Sequence, residues 1–334
     1  EIRPQPGGTL QALPEYTFGF EDFSVTLTTP LDQEVYAGAR TAEKGVRIFN
    51  TSMKDDEWRS GLYRAMTMDK AQDQFFHDLT TEFRGIRTKK NLDSDEYLEL
   101  MTVFVQSIPY KNQSLSSPKY PVETYGDGEG DCDDKSMLLA GLLAHEGYGV
   151  ALLYFGPEQH MAAGVSCPGT GYRDTGYAFI ETTRVSLVGT GPGVLANNIT
   201  LVSDPLVIPI GTGTMGYTRC NETLAIYAEL AEVSEQLEAI RIDLGERESS
   251  LMAKRSYLED LDPAIEQMRF IGDYAAYNRM VADYNKKVRE YNQELDTFNG
   301  ISGEYSSLAE RYNYIIAHEH DREGTYRTLF GSTP

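Results

Sequence analysis

Three separated positions carry residue types that together could perform acyl transfer: a cysteine at 132, a histidine at 160 and a carboxylate at 181. Cys132 lies in Gly130-Asp131-Cys132-Asp133-Asp134-Lys135-Ser136, immediately ahead of the apolar block 137–143. The run predicts that the thiol occupies the first turn of a partly buried helix, with Asp131 as N-cap and Asp134 as the acidic member of a capping box. Peptide dipoles and unpaired N–H groups there favour a thiolate and lower its pKa from about 8.5. Asp131, Asp133 and Asp134 oppose that charge, so a basic partner is required. His160 supplies one, at the head of a predicted strand where Ala162, Ala163 and Gly164 leave room beside it. Glu181, in Tyr177-Ala178-Phe179-Ile180-Glu181-Thr182-Thr183 on the next predicted strand, could hold the imidazole in one tautomer. For the oxyanion, one donor is the backbone N–H of Cys132. Gln106, Tyr110 and Tyr120 are side-chain candidates, with Gln106 ranked first as an amide. A cysteine ahead of an apolar run is also the pattern of an inert buried thiol, and it is the order and spacing of the three groups that favour chemistry.

The elements that must position these groups follow from periodicity. Residues 1 to about 20 are rich in Pro, Gly and Gln and read as an extended lead-in, ending in a strand from Phe18 to Leu27. A helical pattern runs from Asp55 to Thr88. A second begins at an Asp93 or Ser94 cap and is stopped by Pro109. A flexible Gly-Asp-Gly-Glu-Gly stretch then delivers the chain to Cys132. Beyond the Cys132 helix, expected to end near Gly147, residues 150–155, 161–165 and 177–183 read as strands. The Gly-, Thr- and Pro-rich stretch 184–219 reads as loops with short edge strands.

Composition changes at Asn221, apolar positions recur at 3-4 spacing from Leu230 through Leu258, Pro263 interrupts, and a second seam follows. Tyr277, Tyr284, Tyr291, Phe298 and Tyr312 are each followed by Asn, a seven-residue repeat. Two such helices fold most simply into an antiparallel hairpin. The tyrosines are expected to bury their rings on the seam, with the Asn beside each reaching the partner helix; an exposed aromatic stripe for a partner is the alternative. The expected organisation is therefore an N-terminal extended segment at 1–50, a core at 51–220 and a helical hairpin at 221–334.

The blocks Tyr120-Pro121-Val122-Glu123-Thr124, Gly130 to Ser136, Gly147-Tyr148-Gly149-Val150-Ala151-Leu152-Leu153, His160-Met161-Ala162-Ala163-Gly164-Val165 and Tyr177 to Thr183 resemble the transglutaminase-like cysteine-enzyme superfamily, most of all its prokaryotic, particularly archaeal, branch. The resemblance spans about residues 90–190. It implies an α+β fold with a papain-like core, in which a helix bearing the cysteine packs on an antiparallel sheet, here followed by a long coiled-coil hairpin. It also implies a triad, with Cys132 as nucleophile, His160 as base and Glu181 where many members carry Asp. Cleavage or transfer at amide or peptide bonds of a protein or peptide substrate is the implied activity, without cofactor or metal. A catalytically inactive scaffold that binds a partner through the hairpin is the competing expectation.

Composition narrows the partners. A formal charge of −21 argues against a phosphate backbone as partner, since binding one needs clustered Lys and Arg. No apolar run is long enough to span a bilayer. No leader-like segment is visible at Glu1, and an extracytoplasmic chain, secreted or anchored, is the expectation. Four Asn-x-Ser/Thr sequons, at Asn50, Asn112, Asn198 and Asn221, agree with that location. Three cysteines leave Cys167 and Cys220 as a possible pair if Cys132 is reactive. The acidic run around Cys132 lacks the EF-hand spacing and reads as a solvated loop rather than a calcium site.

Overall fold

The computed structural model describes residues 1–7, 14–45, 52–112, 117–189 and 200–331. The chain divides into two compact units, one formed by Glu1–Tyr227 with His318–Pro334, the other by Ala228–Ala317. The sequons at Asn50 and Asn198 fall outside the described residues, while Asn112 and Asn221 are exposed.

The first unit is α+β. Strands β1 (Tyr16–Phe20) and β2 (Phe23–Leu27) form an antiparallel hairpin. The expected single strand is thus two, because Glu21 takes a left-handed φ of 48° and turns the chain back so that Phe20 faces Phe23. Nor is the start of the chain a separate lead-in. Ile2 is buried and its N–H donates to Asp69 at 2.8 Å, and β1, β2 and α1 (Gln33–Thr41) pack into the same unit as the core. The 55–88 pattern resolves into α2 (Asp55–Thr67) and α3 (Asp73–Lys90), parted by a short 3-10 turn that Asp69 caps. Helix α4 (Ser94–Ser107) begins at an Asp93 capping box and ends two residues before Pro109, with Ile108 as C-cap.

Helix α5 (Pro121–Asp127) takes in the first two residues of the Gly-Asp-Gly-Glu-Gly stretch that reads in sequence as flexible; Pro121 suits a first helical position because its missing N–H would have no partner there. Helix α6 (Cys132–His145) follows. Met137, Leu138, Leu139, Leu142 and Leu143 are all fully buried, each worth about 1.5–3 kcal/mol of transfer free energy. The sheet against α6 is antiparallel, in the order β5 (Tyr177–Ile180), β4 (His160–Ser166), β3 (Val150–Phe155), β6 (Leu206–Ile210). Its two central strands are buried along nearly their whole length, only Tyr154 and Ser166 being partly exposed, which is why they appear in sequence as apolar runs rather than alternations.

Helix α7 (Cys220–Ile271) and helix α8 (Tyr274–Ala317) supply the second unit. Pro263 does not interrupt α7 but lies inside it. The penalty of about 3 kcal/mol for an interior proline is carried by the long helix on either side. The reversal comes instead at Gly272, with φ of +79°, and Asp273, whose side chain accepts from the Ala276 N–H at 3.0 Å. Arg311 pairs with Glu229 at 2.6 Å, Lys254 with Glu294, and Tyr257 with Asp283 at 3.2 Å, an order that makes the two helices antiparallel. Tyr277, Tyr284 and Tyr291 are half-buried, whereas the Asn after each is exposed rather than turned to the partner helix. The hairpin does not run to the chain end. After Ala317 the chain rejoins the first unit as α9 (Arg322–Phe330).

Candidate active site

Cys132 is the first residue of α6. Asp131 accepts from the Asp134 N–H at 3.4 Å and Asp134 returns an acceptor to the Asp131 N–H at 3.3 Å, closing the capping box. Asp134 also accepts from the Lys119 N–H at 2.6 Å, so the turn is anchored from outside. The approach to it is packed, not flexible: a Cβ on Gly130 would meet Asp134 at 2.9 Å and Thr124 at 3.0 Å, and Gly130 N–H donates to the Pro109 carbonyl.

The thiol is tied directly to the histidine strand. The backbone N–H of Met161, next to His160, donates to the Cys132 sulfur. One turn along α6, the Ser136 hydroxyl hydrogen-bonds the Met161 carbonyl at 3.2 Å and the Thr182 hydroxyl at 3.0 Å. The start of α6 is thereby stitched to β4 and to the chain just beyond β5.

His160 opens β4 and Glu181 stands one residue past β5, both nearly excluded from water at 4% and 2% exposure. His160 Nε2 and Glu181 Oε2 are 3.2 Å apart. The other carboxylate oxygen accepts from the N–H groups of Thr182 and Thr183, at 3.0 and 2.8 Å, and from the Thr183 hydroxyl at 2.7 Å. Burial alone would raise the Glu181 pKa, but the hydrogen bond and charge of His160 and the two donors of Thr183 outweigh it, and the carboxyl lies below its ordinary range. An ionised Glu181 fixes Nε2 as a donor in the neutral imidazole and leaves Nδ1 as the acceptor.

The expected low thiol pKa is not what the surroundings produce. Burial first, then the charges of Asp133, Asp131 and Glu181, push Cys132 up to about 12, against the favourable Met161 N–H. At neutral pH the resting Cys132 side chain is therefore a neutral thiol. Burial also lifts Asp131 and Asp134 to about 7. The carboxylates of Asp131, Asp133 and Asp134 lie within 4.8 Å of one another.

The oxyanion candidates separate clearly. Gln106 spends its amide elsewhere: its NH2 group donates to the Glu181 carbonyl at 2.7 Å and the Ser186 carbonyl at 3.0 Å, and its oxygen accepts from the Ser186 N–H at 3.3 Å. It positions the segment that carries Glu181. Tyr120 caps α5 and lies under Lys44, among Asp69 and Glu123. Tyr110 is bridged through its backbone to Gly130, two residues before Cys132, and is the candidate on which the Cys132 charge acts. Partial burial, then the charges of Cys132, Asp131, Glu181 and Asp133, push its hydroxyl up to about 12, so it is a standing donor at neutral pH.

Two further groups were not legible in sequence. Lys135 is fully buried, donates to the carbonyls of Gln106 and Ile108 at 3.1 and 2.6 Å, and is pushed down to about 7 by burial, against the pull of Glu181. Tyr63 of α2 donates to Asp133 at 3.2 Å, and the charge of Cys132 also acts on it. Its ring lies 6.3 Å from Tyr154, over which Arg59 stacks at 4.6 Å. Tyr63 lies within the Asp55 to Thr88 helical pattern, and nothing in that pattern distinguishes a tyrosine bonded to Asp133 from one facing the core. Comparison of the chain with protein-family models, with curated proteins and with solved structures gave no match.

Proposed function

We propose that the first unit is a thiol enzyme of the transglutaminase-like type, acting on amide or peptide bonds of a protein or peptide through Cys132, His160 and Glu181, on a papain-like core. The observation that carries the reading is the chain of contacts from Glu181 to His160 and from the adjacent Met161 N–H to the Cys132 sulfur at a helix start. In this mechanism the thiol proton passes to His160 Nδ1 as sulfur attacks the acyl carbon, and Glu181 stabilises the resulting imidazolium. The tetrahedral oxyanion is met by the Cys132 backbone N–H, with Tyr110 as the side-chain donor. The imidazolium returns its proton to the leaving amine, giving a thioester. Water or a second amine then resolves it, by hydrolysis or transfer.

The test is acylation by p-nitrophenyl acetate, a small activated ester that needs no recognition site. A burst of p-nitrophenolate stoichiometric with chain, and an acetyl group mapped to Cys132, supports the reading. Incubation with peptide substrates with and without a primary amine then separates hydrolysis from transfer. The second reading is an inactive extracytoplasmic scaffold whose coiled-coil hairpin binds a partner; the neutral, carboxylate-surrounded thiol favours it. Absence of any burst at Cys132 would select it. Net acidity and the exposed sequons at Asn112 and Asn221 support the extracytoplasmic placement.

A further inference from the structure

The two cysteines outside the site come from distant parts of the sequence and meet. Cys167 directly follows β4, and Cys220 is the first residue of α7. Their thiols are near enough for the charge of one to act on the other. The backbone around them is pinned independently. Tyr217 N–H donates to the Ser166 carbonyl at 2.8 Å, Gly149 N–H and Ser166 N–H bond the Met215 and Gly149 carbonyls, and Cys167 N–H donates to Gly176. A Cβ on Gly216 would come within 2.7 Å of the Ser166 carbonyl oxygen, so the approach of the two segments requires glycine there. Both cysteines are half-buried and pack against the same core cluster.

From this juxtaposition we infer that Cys167 and Cys220 are a redox site that closes to a disulfide, fastening the strand that carries His160 to the root of α7, while Cys132 stays a free thiol. Closure removes one proton and one electron from each thiol and forms one S–S bond. The electrons go to an external disulfide of the glutathione class by thiol–disulfide exchange, and its own S–S bond is cleaved to two thiols. The inference does not depend on the activity of Cys132. It does explain how a chain with an odd number of cysteines can be placed in an oxidising compartment and keep one thiol available.

The sequence makes the test direct, because trypsin cuts at Lys135, Arg173 and Arg219 put the three cysteines in three different peptides. The full chain is equilibrated in oxidised and reduced glutathione, blocked with iodoacetamide after denaturation, digested and mapped by mass spectrometry. The expected result is a linked Cys167–Cys220 peptide in most chains and alkylated Cys132. Recovery of Cys167 and Cys220 as separate alkylated or glutathionylated peptides overturns the inference, as does a link that includes Cys132. As a second readout, dithiothreitol should lower the melting temperature of the oxidised wild type by several degrees and leave a Cys167→Ser, Cys220→Ser double variant unmoved. An equal shift in both overturns the claim that the bridge fastens the fold.

Discussion

His160 Nε2 stands 3.2 Å from Glu181 Oε2, and neither side chain reaches bulk water. The other oxygen of the same carboxylate is held by three donors from Thr182 and Thr183. The pair is therefore clamped at both ends, and the imidazole is held in one tautomer. The first prediction concerns the length of that clamp. Glu181→Asp shortens the side chain by one methylene, about 1.5 Å by bond geometry, and cannot serve the threonine donors and His160 together. Despite the Asp common in the resembled superfamily, it should slow acylation of Cys132 by about 10²-fold, as should Glu181→Gln. Burst kinetics with p-nitrophenyl acetate read both; an Asp variant as fast as wild type would show that the clamp is dispensable.

Gln106 and Tyr110 should part company when tested. Gln106→Leu strands the Glu181 and Ser186 backbone groups, so it should lower the melting temperature and acylation together, at about 1–3 kcal/mol for unsatisfied buried groups. Tyr110→Phe should leave melting unchanged while slowing acylation about 10²-fold, the scale of one lost oxyanion donor. Differential scanning fluorimetry beside burst kinetics distinguishes them, and the reverse pattern would return the oxyanion role to Gln106.

Arg322 closes the return of the chain onto the first unit. Buried at 3% exposure, it donates to Glu99 at 2.6 Å and to Glu222, joining α9 to α4 and to the first turn of α7. Removing one member of such a cluster leaves buried charge uncompensated, at about 3–5 kcal/mol. Arg322→Met should lower the melting temperature by roughly 6–15 °C and expose α9 to proteolysis. Retention of full protease resistance at its C-terminal end would contradict this.

Stability should fall as pH rises from about 5 to about 8. Burial, with the charges of Asp321 and Glu99, lifts Glu21 to about 7, and burial with the Glu323 hydrogen bond lifts Glu96 to about 8. With the folded pKa above the unfolded one, the folded state holds protons that the unfolded chain releases. The contribution is full below the unfolded value and is lost as pH passes through 7 to 8. Glu181 has the opposite sign, and its contribution disappears as pH falls below the ordinary carboxylate range. In about 1 M salt, where the Debye length of about 3 Å screens surface repulsion, the melting temperature should still drop between pH 5 and 8, and Glu96→Gln should flatten the curve. An unflattened curve would place the pH dependence elsewhere.

What could be read from the sequence was set by how local its cause is. The Asp131–Asp134 capping box, the α6 start and strands β3 and β4 depend on residues a few positions apart, and they formed where the pattern placed them. The break at Glu21, the continuity of α7 through Pro263 and the return of α9 depend on packing against distant segments, which no local period records. The site shows the same division. Cys132, His160 and Glu181 declare themselves by type and order. The burial that neutralises the thiol, and the commitment of the Gln106 amide to the Glu181 segment, arise only when α4, α6 and the sheet are brought together.

The central claim is that His160 takes the Cys132 proton. Its most direct measurement is the rate of Cys132 acetylation by p-nitrophenyl acetate at neutral pH in wild type and in His160→Ala, with folding of both verified by melting. A thiol held near 12 cannot ionise unaided at that pH, so the account predicts a loss of at least about 10²-fold on removing the base. Equal rates in a folded His160→Ala variant would contradict it.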